Sequence, residues 1–369
     1  MHRSYTTRLN PTKRQDALLT GVLAQNCELY NCALEERIGA WKTSRKSLTL
    51  YDQQKELTQL RAVEPEYAAM PVAIQRDPLQ RLQRAFDGFF RRIKAGQTPG
   101  FPRFRSQSRY DSFTVDSQSF RIEGNTAYIT KLGGFRFKVQ RRMKGIPKTL
   151  CISRCGHKWK ASFGYDIGPA PEKIAVRNAV GIDVGLTTLV TLSDGTEIAN
   201  PRWTRQEEDR LADANRSLSR KIRGSKNRLK TREFLRRCHQ RIAGKRASYL
   251  TGVAKQLVSQ YDLIAYEDLK IQQMVEDRLA KSILDAAWHQ LIWRLHCEAE
   301  YAGKWIIPVN PRNTTQNCSG CGEKVPKTLW QRKHDCPHCG LSLGRDLNAS
   351  RNILQRGMRC VAQAAGESK

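Results

Sequence analysis

Three acids of this chain stand where ordinary surface carboxylates do not. Asp183 interrupts the apolar run Ala179-Val-Gly-Ile-Asp-Val-Gly, and Glu267 ends another, Leu263-Ile-Ala-Tyr-Glu. An ionised carboxylate in such a strand is costly unless a cation or hydrogen-bond donors meet it. A third acid, Asp346, lies in Gly344-Arg-Asp-Leu-Asn-Ala-Ser, which reads as the start of a helix, where the dipole favours the charged form. If the two strands are neighbours and the helix lies across them, the three carboxylates share a small volume and repel unless divalent metal neutralises them. Two Mg²⁺ ions about 4 Å apart would then activate water and stabilise the leaving oxygen of an in-line attack on a phosphodiester. Asp194, Asp262, Asp268 and Asp285 have ordinary roles open to them as turn, helix-start or surface residues.

The cysteines point to a second metal. Cys318-Ser-Gly-Cys321 and Cys336-Pro-His-Cys339 are two C-x-x-C pairs separated by 14 residues. Each pair turns two thiolates inward from a tight knuckle, and two knuckles complete a tetrahedral four-sulfur zinc site. His334 and His338 are nearby alternatives, but four thiolates need no imidazole. A closed shell leaves no open coordination position, so this zinc is expected to be structural. Cys151 and Cys155, with His157 beyond, have no second pair and read as packing thiols.

Composition says what such a site would act on. The 369 residues carry 64 Lys and Arg against 35 Asp and Glu, a formal net charge of +29. A polyanion best neutralises so large an excess, and nucleic acid is the first expectation. A merely basic soluble surface and an anionic membrane are the alternatives, but the excess is not confined to one tail or one amphipathic helix. The first residues show no charged-then-apolar signal pattern, and no apolar run approaches a membrane span. A cytosolic location is therefore expected, where thiols stay reduced and clustered cysteines bind metal.

The length implies at least two domains and a small insertion. Residues 3 to 9 alternate like a strand, and a helical pattern follows from about Lys13 to Lys42. A second begins near Pro78, with Leu79, Leu82, Phe86, Phe89, Phe90 and Ile93 at helical spacing. Its other side carries Arg81, Arg84, Arg91, Arg92 and Lys94, either solvated or on nucleic acid. From Thr98 to about Asp166, short alternating runs between Gly, Pro and Ser predict a small sheet or barrel. Gly168-Pro-Ala-Pro-Glu-Lys is the best linker, and a strand, a return strand and an Asp194-Gly195 turn follow it. Residues 205 to 258 are helical in pattern, and Arg216 to Arg246 hold 13 Lys or Arg against one acid, Glu233. A phosphate backbone alongside would relieve that repulsion; a solvated linker helix is the other reading. A further helix is expected from about Ala280 to Ala299.

At these motifs the sequence resembles the TnpB family, transposon-encoded RNA-guided nucleases related to type V CRISPR effectors. The matching segments are Gly181-Ile-Asp-Val-Gly-Leu, Tyr266-Glu-Asp-Leu, Asn313-Thr-Thr-Gln-Asn-Cys-Ser-Gly-Cys-Gly and Gly344-Arg-Asp-Leu-Asn-Ala-Ser-Arg-Asn-Ile. Tyr30-Asn31, Gly100-Phe-Pro-Arg-Phe and Ser112-Phe-Thr extend the likeness to the amino-terminal half. The resemblance implies an α+β multidomain fold. A wedge-like β-barrel (1–10 and 98–167) would be interrupted by a helical recognition insertion (11–97). A linker (168–178) would lead to an RNase H-like, or RuvC, nuclease (179–312 and 341–369) with an inserted zinc ribbon (313–340). In an RNase H-like sheet the first and fourth strands are neighbours, which would bring Asp183 and Glu267 together.

The resemblance further implies a guide RNA made from the transposon end, with one protein per RNA. Double-stranded DNA would be cut next to a short element-adjacent motif. Asp183, Glu267 and Asp346 would be the Mg²⁺-binding catalytic acids, with Arg345 beside the scissile phosphate. Gln75, Arg76, Gln80, Phe113 and Thr114 are the candidates for reading the adjacent motif, and Arg220, Lys221, Lys226 and Arg228 for gripping backbone. A small type V effector would use the same chemistry, and a non-cutting RNA-guided repressor would be expected to lack one or more acids. A tyrosine-nucleophile transposase is not supported, because His289 and His296 form no paired-His metal motif.

Overall fold

The computed structural model describes residues 1–139, 142–156, 158–270, 274, 280–328 and 330–366, so His157 lies outside the described residues. The chain divides into two compact units, Met1–Pro169 and Ala170–Lys369. Among the described residues no helix is long and apolar enough to cross a membrane.

The first unit opens with β1 (His2–Leu9), then α1 (Lys13–Ser44), α2 (Leu50–Val63), α3 (Pro65–Ala69) and α4 (Val72–Lys94). The strands β2 (Ser112–Asp116), β3 (Phe120–Glu123), β4 (Thr126–Ile129), β5 (Gly133–Arg136), β6 (Ile146–Cys155) and β7 (Lys158–Asp166) complete it. They form an antiparallel sheet of order β1-β7-β6-β2 and a second of order β3-β4-β5. A bridge between Leu9 and Phe137 links the two. Trp159, Ala161 and Phe163 alternate inward along β7, as a half-buried strand requires.

Two details of the helices differ from expectation. The helix expected from Pro78 begins at Val72 and carries Pro78 inside it. A proline suits a first turn, but here Pro71 occupies the cap, and Pro78 forfeits one backbone bond in exchange for a buried ring. Helix α2 was not anticipated, although Thr49 and Asp52 form a reciprocal capping box at its start.

The second unit carries β8 (Ala179–Val184), β9 (Thr188–Leu192), β10 (Glu197–Ala199), β11 (Leu263–Glu267) and β12 (Trp305–Val309). Their order is β10-β9-β8-β11-β12. The pairs β10/β9 and β9/β8 are antiparallel, whereas β8/β11 and β11/β12 are parallel. The helices are α5 (Trp203–Gln206), α6 (Glu208–Ser219), α7 (Lys226–Gln260), α8 (Ala280–Ala286), α9 (Trp288–Ala302) and α10 (Arg345–Gly366), with a hairpin of β13 (Lys333–Asp335) and β14 (Ser342–Gly344) before the last.

The sheet is buried on both faces. Val180, Ile182, Ile264 and Tyr266 pack with Leu250, Leu257, Leu291 and Leu295 of α7 and α9. Leu263, Ala265, Val309 and Ile353 of α10 form the opposite layer. The helix expected from Ala280 to Ala299 is broken at Ala287, which takes φ 53°. The basic stretch likewise divides into α6 and α7 around Gly224, at φ +87°.

Candidate active site and metal centre

The register of two parallel strands places the first two acids. Tyr266 of β11 lies opposite Ile182 of β8, and each is followed by an acid, Glu267 and Asp183. Both carboxylates thus sit at the carboxyl ends of neighbouring strands, where open α/β sheets form crevices. Asp346 is in the first turn of α10. Two glycines seat that helix against the sheet. A Cβ on Gly181 of β8 would lie 2.0 Å from the carbonyl oxygen of Ser350, and one on Gly357 of α10 would lie 2.4 Å from the Cβ of Ala265.

The electrostatics show that Asp183 feels both other acids. Burial pushes Asp183 well above the usual carboxylate range; the charges of Glu267 and Asp346 push it further, while Arg345 and the Val184 backbone oppose the rise. Burial also raises Glu267, against the Thr314 hydroxyl and the Arg356 guanidinium. The Thr314 hydroxyl donates to Glu267 Oε1, and Thr314 is itself buried. Arg345 Nε meets Asp346 Oδ1 at 3.1 Å. Two buried acids reluctant to ionise, with a third within electrostatic reach, suit a hard divalent cation such as Mg²⁺, which takes oxygen ligands.

Cys318, Cys321, Cys336 and Cys339 bring their sulfur atoms within 4.8 Å of one another. The Cys318–Cys339 and Cys321–Cys336 separations are 3.5 and 3.6 Å. A tetrahedron of 2.3 Å zinc–sulfur bonds has edges of about 3.8 Å, so the four thiols fit zinc. Each knuckle closes through backbone bonds, Gly322 to the Cys318 carbonyl at 2.9 Å and Gly340 to that of Cys336 at 3.0 Å. His334 is buried with Nδ1 on the Lys327 ammonium, and His338 is exposed; neither belongs to the sulfur cluster.

The segment that carries the first cysteine pair is tied to the helix that carries Asp346. Asn348 Nδ2 and Asn352 Nδ2 both donate to the Asn317 carbonyl at 2.7 Å. Asn348 Oδ1 accepts from the Ser319 N–H at 2.9 Å, and Asn352 Nδ2 also reaches the Thr314 carbonyl at 2.8 Å.

Comparison with known proteins agrees with this layout. A family model described as "Probable transposase", OrfB_IS605, matches residues 162–278, and a Cas12f1-like TNB domain model matches residues 288–353. A Streptomyces pristinaespiralis protein provisionally named RNA-guided DNA endonuclease is 31% identical over 382 residues, covering 99% of this chain and 91% of its own. An Escherichia coli K12 protein provisionally named RNA-guided DNA endonuclease InsQ is 30% identical over 303 residues, covering 77% and 74%. This chain belongs to the TnpB family of RNA-guided DNA endonucleases. In fold it is similar to Cas12f1 in a complex with guide RNA and target DNA, at a TM-score of 0.60 and 13% identity over 93% of this chain and 83% of that one.

Within this TnpB-family chain the expected nucleic-acid residues fare unevenly. Gln75 and Phe113 need correction, because both are fully buried. Gln75 is spent on Gln25, Arg61 and the Tyr67 carbonyl, and Phe113 alternates inward on β2. Thr114 is half-buried, with its N–H on Asp77 Oδ2 at 3.2 Å. Arg76 and Gln80 are exposed on α4, and Arg220, Lys221 and Lys226 are exposed where α6 turns into α7. Arg228 is committed instead to the turn, donating to the Leu218 and Lys221 carbonyls at 2.8 Å.

The sequence reading missed the TnpB-family residues that position the site, namely Thr314, Asn348, Asn352, Gly181 and Gly357. The available signal was small: short polar residues within the two late motifs, and a glycine inside each buried element.

Proposed function

We propose that this chain is a divalent-metal-dependent, RNA-guided endonuclease that cuts double-stranded DNA beside a short element-adjacent motif. Asp183, Glu267 and Asp346 are its catalytic acids. The observation that carries this reading is the placement of two buried acids, Asp183 and Glu267, at the carboxyl ends of neighbouring parallel strands, with the charges of Glu267 and Asp346 both raising Asp183. Supporting it, β8 and β11, the first and fourth strands of their unit, are neighbours, as an RNase H-like (RuvC) nuclease requires.

In this reading Asp183 and Glu267 hold the cations from the strand ends and Asp346 closes the site from the first turn of α10. When bound, two Mg²⁺ ions would supply a hydroxide-like water and stabilise the leaving oxygen. Thr314 keeps the Glu267 carboxylate aimed, and Arg345 offers a guanidinium to a non-bridging phosphate oxygen. The four thiolates hold one structural zinc that braces the entry to α10. Sequence choice is delegated to base pairing with an RNA from the transposon end, one protein per RNA, while Lys and Arg grip backbone and A-form shape. Residues 1–10 and 98–167 form the wedge-like barrel and 11–97 the recognition helices. The linker is 168–178, with 179–312 and 341–369 as nuclease and 313–340 as ribbon.

The test is plasmid cleavage by the chain purified with its RNA, in Mg²⁺ and in EDTA. Metal-dependent cutting at the guide-matched sequence is expected from the wild type, and none from Asp183→Ala. A repressor would bind without cutting, a reading that the presence of all three acids disfavours.

A further inference from the structure

A cavity of about 500 Å³ opens beside the proposed cutting centre, and Glu267 itself forms part of its wall. Half of the other lining residues are aromatic, namely Tyr266, Trp288, His289, Trp293 and His296, and the exposed Asp268 carboxylate also borders the opening. Its fixed members have already satisfied their polar atoms. The Trp288 indole N–H donates to the Gly185 carbonyl at 3.1 Å, and the Tyr266 hydroxyl is 2.9 Å from His296 Nε2. They present flat apolar surface, not a pattern of free donors and acceptors.

Trp293 is different. It is 57% exposed, a large indole left in water at the rim of a catalytic pocket. The Arg294 guanidinium lies 5.9 Å from its ring centroid, and the exposed Lys270 also borders the cavity. Flat aromatic faces with nearby cations are what a nucleobase and its phosphate need, and such stacking tolerates any base because every base has a π-face. The volume falls within the range of ligand pockets. A phosphodiester held at Glu267 brings its own flanking base to this opening, whereas a paired and stacked base cannot enter it.

Resting on the nuclease reading above, we propose that this cavity takes one unstacked nucleobase flanking the phosphodiester to be cut, with Trp293 as its stacking platform.

The experiment uses the RNA-loaded chain and a target whose cut position has been mapped, with single abasic sites placed one nucleotide at a time across the cut. Trp293→Ala is expected to slow single-turnover cleavage roughly ten- to a hundredfold, with target affinity unchanged and Trp293→Phe retaining most of the rate. One abasic position should slow the wild type by a similar factor and add little to Trp293→Ala. Independent slowing by the two changes, or full-rate cutting by Trp293→Ala, overturns the proposal and leaves the pocket to a different ligand, such as a protein segment. A second readout needs no cutting: 2-aminopurine at that position, in the Asp183→Ala complex, should be quenched on binding and released from quenching by Trp293→Ala. Quenching without any cleavage by the wild type would keep the base pocket and sink the nuclease reading; cleavage without quenching would do the reverse.

Discussion

Gly181 of β8 and Ser350 of α10 touch backbone to backbone, so closely that a Cβ on the glycine would stand 2.0 Å from the serine carbonyl oxygen. The same Cβ would lie 2.5 Å from the Leu354 nitrogen, so no flexible side chain can move aside. Gly181→Ala must therefore lift α10 from the sheet and carry Asp346 away from Asp183. Overpacking of this kind costs about 1–3 kcal/mol, and misplacing a catalytic group by about 1 Å can cost about a hundredfold in rate. A lowered melting temperature with cleavage reduced at least tenfold is expected. Thermal melts and single-turnover kinetics check both, and wild-type cutting by the variant would dismiss the role given to this contact.

Removing any one acid tests the centre more directly. Asp183→Ala, Glu267→Ala and Asp346→Ala should each abolish cutting while RNA still co-purifies, measured by plasmid nicking and by sequencing of the bound RNA. Retained cleavage in any of them would remove that residue from the site.

The pH dependence of the metal-free chain follows from the raised Asp183. Its folded form holds the proton more tightly than the unfolded chain, whose aspartates titrate near about 3.9. The stability it contributes is fully present below that value and is lost as pH rises through the elevated folded value. In EDTA, Asp183→Asn should match the wild type in acid and melt several degrees higher at pH 8. Added Mg²⁺ should raise the wild-type melting temperature more at pH 8 than at pH 5. Equal Mg²⁺ effects at both pH values would contradict this.

Thr314 gives a prediction that separates positioning from packing. Thr314→Val keeps the shape but removes the hydroxyl that meets Glu267. A hydrogen bond to a charged group contributes about 1.5–3 kcal/mol, so cleavage should fall at least tenfold while zinc content stays the same. Thr314→Ser should recover most of it. Steady-state rates and metal analysis decide the matter.

The zinc ribbon should act at a distance. The wild type is expected to carry one zinc per chain. Cys318→Ser or Cys336→Ser should lose it and much of the cutting with it, because Asn348 and Asn352 then lose a fixed partner in Asn317. Excess Mg²⁺ should not restore the rate. Cys32→Ser, at an exposed thiol outside the cluster, should behave as wild type.

What could be read from sequence was whatever breaks a pattern. Asp183 and Glu267 stand out because each interrupts an apolar strand, and the cysteine pairs because their spacing has one good geometric solution. Gln75 and Phe113 were misread for the opposite reason: a polar side chain looks available until Arg61, Gln25 and Tyr67 are folded around it, and β2 gives no outward sign of which face is core. Pro78 misled because a proline inside a helix is weighed by its tertiary surroundings, not by the local rule. The contact of Gly181 with Ser350 joins residues far apart in sequence, and a lone glycine in a strand cannot name the backbone it makes room for.

The position of α10 also sets an order of assembly. Asp183 and Glu267 belong to strands that are synthesised well before the helix that brings Asp346, and both knuckles of the ribbon come between. A nascent chain bearing the complete sheet therefore still lacks its third acid. On the proposed reading, competence to cut is expected only after the ribosome has passed the four cysteines and delivered α10, which also covers one face of the sheet.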